Sequence, residues 1–296
     1  MALHLLSADQ VASSCRQRIE SCELWLRYLI HNQLSMTFGD GYLTGESPSN
    51  NPIFSASVQR SAAARHETAR IKPPRPVDTL LFDDLARVLA KVDVYDKWFK
   101  AVLHTDFPLG SMQVRNILNL LVPIRNKLAH ANGVTLTLHE AERALCYCND
   151  LISAIQNHYT GASMADKFPA PMFTRISDSQ GNVHYPSDHR PNFYGKEPLR
   201  CGDTIRFEVE VDSTFSPNEY DISWVVNNIA NGQRGTGPIF SVVLDERHVG
   251  LQFAVSATLL SHKSWHRDQN FDAMATLRYE VLPPPDRKST RLNSSH

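Results

Sequence analysis

Hydrophobic residues in the first half of the chain recur at intervals of three and four positions, which is typical of amphipathic helices. The stripe is clearest over residues 11–29 and 138–155. Before each stripe stands a capping box, in which Ser7 or Thr137 is followed three residues later by Gln10 or Glu140. The pattern predicts long helices that begin after Ser7 and Thr137. Shorter helices are predicted at 52–70, 80–89, 94–103 and 111–131.

Beyond the first 160 residues the period changes from 3.6 to 2. Apolar and polar residues alternate over 205–211, 253–259 and 277–281, and 221–227 is a further candidate strand. Several short strands separated by turns are typical of a β-sandwich. We therefore expect a multi-domain α and β protein, with an all-α helical bundle at 1–160, a linker at 161–175 and a β-sandwich at 176–284.

The last residues follow neither period. After three prolines at 283–285 the chain reads DRKSTRLNSSH, which resembles a translated sequencing adapter. We expect residues 285–296 to be a disordered tail of that origin, and they are excluded from the fold assignment.

Composition narrows the class of protein. The net charge of −1 gives no overall attraction to nucleic acid or membrane. No apolar run reaches the length of a membrane span, and the first residues carry no secretion signal. The five cysteines form no CxxC pair, which disfavours zinc and disulfide frameworks. We expect a cytoplasmic protein without a membrane partner, a metal or a cofactor.

Candidate chemistry concentrates in one hexapeptide, which runs from Arg125 to His130 (RNKLAH). A fixed guanidinium can hold a phosphate, and an imidazole can transfer protons near neutral pH. Asn126 and His130 are four residues apart and therefore share one face of a helix. Pro123 predicts a kink or a fresh helical start just before the hexapeptide. The alternative is a polar, solvent-facing turn of a core helix, because short motifs also arise by chance.

The helical half resembles a HEPN domain (higher eukaryotes and prokaryotes nucleotide-binding), in the branch shared by a eukaryotic mRNA-surveillance endonuclease and bacterial defence proteins. The resemblance spans roughly residues 8–159. It rests on the RNKLAH motif before a final capped helix, on ELWLR at 23–27 and on LFDDL at 81–85. It implies a metal-independent endoribonuclease that leaves 2′,3′-cyclic phosphate ends, with Arg125, Asn126 and His130 as catalytic residues. It also implies a homodimer whose motif helices face each other across the RNA.

Basic residues cluster in the second half of the helix predicted at 52–70 and in the Pro-rich segment that follows it. Between positions 60 and 75 the chain carries one acidic residue, Glu67, and five basic ones: Arg60, Arg65, Arg70, Lys72 and Arg75. These five are candidates for gripping the RNA backbone. A solvated helix face that runs into a Pro-rich loop is the alternative.

The strand-rich half resembles the AGS-C domain, the C-terminal sensor appended to cyclase-like and SMODS nucleotidyltransferases. The resemblance rests on CGDTIRF at 201–207, on YDISWVVNN at 220–228 and on Arg247-His248. It implies recognition of a nucleotide second messenger in antiviral signalling, with four contact residues: Trp224, Asn227, Asn228 and His248. A core tryptophan with turn-forming asparagines is the alternative. The loop at 233–237 (QRGTG) could bind phosphate, but no helix or lysine follows it.

Three functional hypotheses remain open. The first is an RNA-cleaving homodimer gated by a nucleotide signal, acting in anti-phage defence as an abortive-infection effector. The second is a non-catalytic sensor or adaptor, because some HEPN domains are inactive scaffolds. The third is a metal-dependent hydrolase that uses His184, Asp188 and His189, which lie in a Pro-rich segment.

Overall fold

The computed structural model divides the chain into two compact units, Met1–Pro169 and Ala170–His296. It describes residues 3–68, 75–130, 136–186, 191–227, 229, 232–268 and 270–284, so the predicted tail at 285–296 lies outside the described residues. The first unit is helical and the second consists of strands, as the two-domain α and β prediction requires. The boundary falls within the predicted linker, 161–175. Regular structure enters that segment from both sides, because the last helix ends at Gly161 and the first strand begins at Phe173.

The first unit consists of helices joined by short loops and 3-10 turns. In its described part the helices are α1 (Ala8–Phe38), α2 (Ala56–Thr68), α3 (Phe82–Leu89), α4 (Val92–Val94), α5 (Lys100–Leu103), α6 (Ser111–His130) and α7 (Leu138–Gly161). A π-helical turn, Tyr95–Phe99, joins α4 to α5. No helix in the described ranges is long and apolar enough to span a membrane.

Both predicted capping boxes are confirmed. Ser7 Oγ accepts a hydrogen bond from the Gln10 backbone N–H at 3.3 Å, and Gln10 Oε1 accepts one from the Ser7 N–H at 2.9 Å. Thr137 and Glu140 make the same reciprocal pair, at 3.2 and 2.9 Å. Each box satisfies N–H groups that have no partner within the helix, so α1 and α7 begin where the sequence predicts.

The core of the first unit lies between α1 and the helices packed on it, α3, α6 and α7. The apolar stripe of each helix supplies side chains without solvent exposure, among them Trp25, Leu29, Leu85, Leu121 and Leu151. This packing holds the end of α6 beside α1, and it sets the surroundings of the RNKLAH motif.

Helix α6 continues through Pro123. A proline inside a helix has no N–H to donate to the carbonyl of Asn119. Leu121 and Ile124 are both buried on either side of it, which favours continuation of the helix. Of the two sequence-based expectations for Pro123, the structure excludes a fresh helical start.

The second unit consists of strands joined by turns. Its described strands are β1 (Phe173–Asp178), β2 (Val183–His184), β3 (Asn192–Tyr194), β4 (Leu199–Arg200), β5 (Thr204–Val211), β6 (Tyr220–Asn227), β7 (Arg234–Thr236), β8 (Ile239–Val243), β9 (Gly250–Ser261) and β10 (Ala273–Leu282). The predicted strands correspond to β5, β6, β9 and β10. The remaining strands were not predicted.

Two sheets share one core. Among the described residues, four strands form one sheet in the order β2-β1-β5-β8, and six form the other in the order β3-β10-β9-β6-β7, with β4 also paired to β10. The pairs of β10 with β3 and β4 are parallel, and the other pairs are antiparallel. Alternate residues of both sheets enter the core, among them Phe207, Val242, Trp224, Val255 and Leu277.

Candidate functional site

The RNKLAH motif occupies the C-terminal end of α6, which ends at His130. Arg125 and Asn126 are half-buried, and Arg125 Nη1 donates to Asn126 Oδ1 at 3.4 Å. The helical backbone puts Asn126 and His130 one turn apart on the same face. The side chain of His130 lies outside the described residues, so its contact with Arg125 or Asn126 stays a prediction.

Helix α1 supplies a carboxylate to this end of α6. Glu23 is buried, and its Oε2 lies 3.9 Å from Arg125 Nε. Its other oxygen, Oε1, accepts a hydrogen bond from Arg27 Nη2 at 2.5 Å. Arg27 also donates to the Leu80 carbonyl at 2.9 Å. The guanidinium of Arg125 therefore lies within ion-pair distance of a carboxylate that is itself held in place, while 24% of the Arg125 side chain stays exposed.

Two further charged residues of α1 lie at the same end of α6. Arg16 Nη2 donates to the Leu128 carbonyl at 3.0 Å, which satisfies an acceptor in the last turn of α6. Loss of water around the Glu20 carboxylate raises the pKa of Glu20, and Glu23 adds to this increase, while Arg16 and Arg125 oppose it. Along this face of α1, two carboxylates, Glu20 and Glu23, thus lie between two guanidiniums, Arg16 and Arg27.

This charged face of α1 was not predicted, although its spacing is visible in the sequence. Arg16, Glu20, Glu23 and Arg27 follow one another at spacings of four, three and four. That spacing places them on one face of a helix, beside the apolar stripe. What the spacing cannot give is the partner, because the contact with Arg125 depends on how α1 packs against α6.

Lys127 points to a different partner. Its ammonium forms an ion pair with Glu140, the residue that completes the capping box of α7. Leu128 is buried. Among the charged side chains that the structure describes in the motif, Arg125 is the one in contact with Asn126.

The predicted RNA-gripping residues differ in availability. Arg60 is exposed on α2, where its Nε donates to the Ala56 carbonyl at 3.3 Å. Arg65 donates to the Thr79 carbonyl and lies 3.8 Å from Asp84. Arg60 can therefore reach solvent, whereas Arg65 connects α2 to the start of α3.

The side chain of Arg75 is held by contacts within the helical unit. Its guanidinium forms a two-pronged pair with Asp78, at 2.6 and 3.0 Å, and lies over the ring of Tyr28 at 3.7 Å from the centroid. Its side chain is 16% exposed. Arg70 and Lys72 lie outside the described residues. The three described arginines are thus bound to separate local partners and do not form one cluster.

Two of the predicted ligand-sensing residues lie in the core of the second unit. Trp224 stacks on Phe240 at 5.6 Å, and its Nε1 donates to the Gly237 carbonyl at 2.8 Å. His248 is buried against Phe253, and its Nδ1 accepts from the Asp245 N–H at 3.0 Å. Each side chain therefore has a packing and hydrogen-bonding role within the fold.

Asn227 lies on the opposite face of β6 from Trp224, because side chains alternate along a strand. Its Nδ2 donates to Ser256 Oγ at 2.6 Å, and Ser256 Oγ also contacts Thr276 Oγ1 at 2.8 Å. Asn228 lies outside the described residues. The structure does not bring Trp224, Asn227 and His248 together in one pocket.

The residues of the metal-hydrolase hypothesis are described only in part. His184 stacks on Phe193 at 4.7 Å, and burial lowers the pKa of its imidazole. Asp188 and His189 lie outside the described residues. Within the described ranges, no group of three or more His, Cys, Asp and Glu residues could hold a metal ion.

Comparisons with known proteins give little further information. No family model and no curated protein matches the chain. Among solved structures, it is similar to the extracellular domain of a protein described as a hybrid two-component system from B. thetaiotaomicron, at 10% identity and a TM-score of 0.25. That alignment covers 41% of this chain and 16% of the other, and a TM-score this low carries no argument about fold or function.

Proposed function

We propose that this chain is a metal-independent endoribonuclease of the HEPN type, gated by a nucleotide signal and acting in anti-phage defence. In this proposal the first unit is a HEPN-like bundle and the second is a β-sandwich that resembles an AGS-C sensor. The observation that supports it best is the position of Arg125, partly exposed and 3.9 Å from the Glu23 carboxylate, five residues before His130 at the end of α6.

The proposed reaction is an internal transfer at phosphorus. The 2′-hydroxyl attacks the adjacent phosphate, the bond from phosphorus to O5′ breaks, and the products carry a 2′,3′-cyclic phosphate and a 5′-hydroxyl. His130 takes the proton from the 2′-hydroxyl or donates one to O5′. Arg125 stabilises the negative charge that develops on the phosphoryl oxygens, and Asn126 orients His130 or the phosphate. Because one imidazole serves one proton transfer at a time, His130 of a second copy supplies the other.

A second candidate function is a non-catalytic sensor or adaptor. The contacts of Glu23 with Arg27 and Arg125 favour this function, because an ion cluster that only holds α1 to α6 would have the same contacts. In that case Arg125 stabilises the bundle, and the first unit dimerises or binds RNA or nucleotide without cleaving.

Substitution of His130 separates these two functions. Wild-type chain should cleave single-stranded RNA in the presence of EDTA and leave 2′,3′-cyclic phosphate ends. His130→Ala should be slower by about 100-fold or more, since general acid–base catalysis contributes factors of that size. His139→Ala is the matched control, because His139 is exposed on the first turn of α7. Equal cleavage by His130→Ala and the wild type would overturn the ribonuclease proposal and favour the adaptor.

A further inference from the structure

A groove of about 470 Å³ lies on the six-stranded sheet, over β6, β7 and β9. Its lining includes Ser223, Val225, Arg234, Thr236 and Thr258. Small-molecule sites in proteins commonly measure roughly 300–1,000 Å³. The volume of this groove is therefore sufficient for a ligand the size of a nucleotide.

Strand register brings the polar side chains of the groove into rows. Ser223 of β6 pairs with Thr258 of β9 on one side and with Thr236 of β7 on the other. Val225 pairs with Arg234 in the next row on the same face. Directly opposite residues are about 5 Å apart at Cβ, so three hydroxyls form a row beside one guanidinium.

Packing on the other face of β7 fixes the direction of Arg234. A Cβ at Gly235 would lie 2.5 Å from the ring of Phe240, so this position faces the core and accepts only a glycine without movement. Since neighbours on a strand point to opposite faces, Arg234 and Thr236 point into the groove. The glycine of the QRGTG loop thus serves packing, and the loop's potential for phosphate binding comes from Arg234.

The groove is electrostatically suited to an anion. Arg234 is exposed, and in the part of the chain that the structure describes its guanidinium has no hydrogen bond or ion pair. The described lining contains no carboxylate. Asp221, two residues before Ser223 on β6, is paired with His262 at 2.9 Å. An unpaired guanidinium beside hydroxyl donors is the kind of arrangement that binds phosphate.

We propose that this groove binds a nucleotide, with its phosphate on Arg234 and its ribose hydroxyls against Ser223, Thr236 and Thr258. The inference deepens the proposed function and rests on it for the role of the ligand, because it assigns the gating nucleotide to a site. These residues differ from the ligand-sensing set that the AGS-C resemblance implies. Binding itself depends only on the chemistry of the groove.

Calorimetric titration of the full chain with AMP, inorganic phosphate and adenosine tests the proposal. AMP should bind, phosphate should compete with it, and adenosine should bind at least about tenfold more weakly, because the guanidinium contact is lost. Arg234→Ala should weaken AMP binding by about tenfold or more. Thr236→Val should weaken AMP binding without affecting phosphate. Arg206→Ala is the matched control, since Arg206 is an exposed arginine on β5 of the other sheet.

Two results would overturn the proposal that the groove binds a nucleotide. One is a wild-type chain that does not bind AMP, and the other is an Arg234→Ala chain that binds AMP as tightly as the Arg206→Ala chain does. The ribonuclease proposal is separable, because His130→Ala should bind AMP like the wild type. If AMP binds through Arg234 but the chain never cleaves RNA, the ribonuclease proposal fails and the nucleotide site stands. If the chain cleaves RNA but does not bind AMP, the nucleotide site fails and the ribonuclease proposal stands.

Discussion

Glu23 is a buried carboxylate in contact with two guanidinium groups. Removal of a carboxylate from water has a large cost, which opposite charges offset only when the geometry is good. Here one oxygen contacts Arg27 at 2.5 Å and the other lies 3.9 Å from Arg125. Both arginine side chains are partly exposed, so the ion cluster extends from the buried Glu23 carboxylate to the surface beside the RNKLAH motif.

Glu23→Gln should destabilise the protein and disturb the motif together. The amide keeps the size of the side chain but leaves two positive charges without a counterion, and removal of one partner from a buried pair costs about 3 kcal/mol. Urea denaturation gives the free energy of unfolding. The control is Glu142→Gln, whose carboxylate is exposed on α7, and little change is expected there. A Glu23→Gln chain as stable as the control would show that this carboxylate does not hold α1 to α6.

Single residues were predictable where their chemistry is local. The six residues of the RNKLAH motif are contiguous in the sequence, and Arg125 and Asn126 are in contact in the described structure. Glu23 is far from Arg125 in sequence, so its contribution required the packing of α1 on α6. Arg75 lies in a basic segment of the sequence, which suggested a residue free to contact RNA. In the structure its side chain is bound by Asp78 and Tyr28 instead. Sequence alone cannot tell which charged groups find an intramolecular partner.

Elements were predictable where a capping box or a long period marks them. Helices α1 and α7 begin after Ser7 and Thr137 because their caps form within four residues. Strands β2, β3, β4 and β7 were missed because two or three residues cannot display alternation, and β3 and β4 form by pairing with the distant strand β10. The helix predicted at 94–103 extends from Val92 to Leu103 and contains a π-helical turn, a feature that apolar spacing does not encode.

The packing of β7 on β8 can be tested at Gly235. Gly235→Ala places a methyl group 2.5 Å from the ring of Phe240, which is stacked on Trp224 and has little room to move. Overpacking of this kind should lower the free energy of unfolding by about 1–3 kcal/mol. Gly161→Ala is the matched control at the end of α7, where no atom lies within 4 Å of the added group, and it should be neutral or slightly stabilising. Equal stability of the two variants in urea would contradict the contact with Phe240.

The whole chain contains two units with separate cores, which a change of hydrophobic period from 3.6 to 2 was sufficient to predict. Neither period nor composition carries information about association. A net charge of −1 is compatible with a monomer, a dimer or an RNA complex. The assembly must therefore be argued from the chemistry of the proposed reaction, which requires a proton acceptor and a proton donor on opposite sides of the phosphate.

Because each chain carries one RNKLAH motif, the proposed ribonuclease should be a homodimer with a composite site. Sedimentation equilibrium should show a reversible dimer, and specific activity should fall on dilution below its dissociation constant. An excess of His130→Ala chains added to the wild type should abolish most of the activity, because each mixed dimer holds only one of the two imidazoles that the reaction uses. An equal excess of His139→Ala chains, the control, should not reduce it, since His139 is exposed on α7. Full specific activity in a preparation that is monomeric at the assay concentration would contradict the composite site.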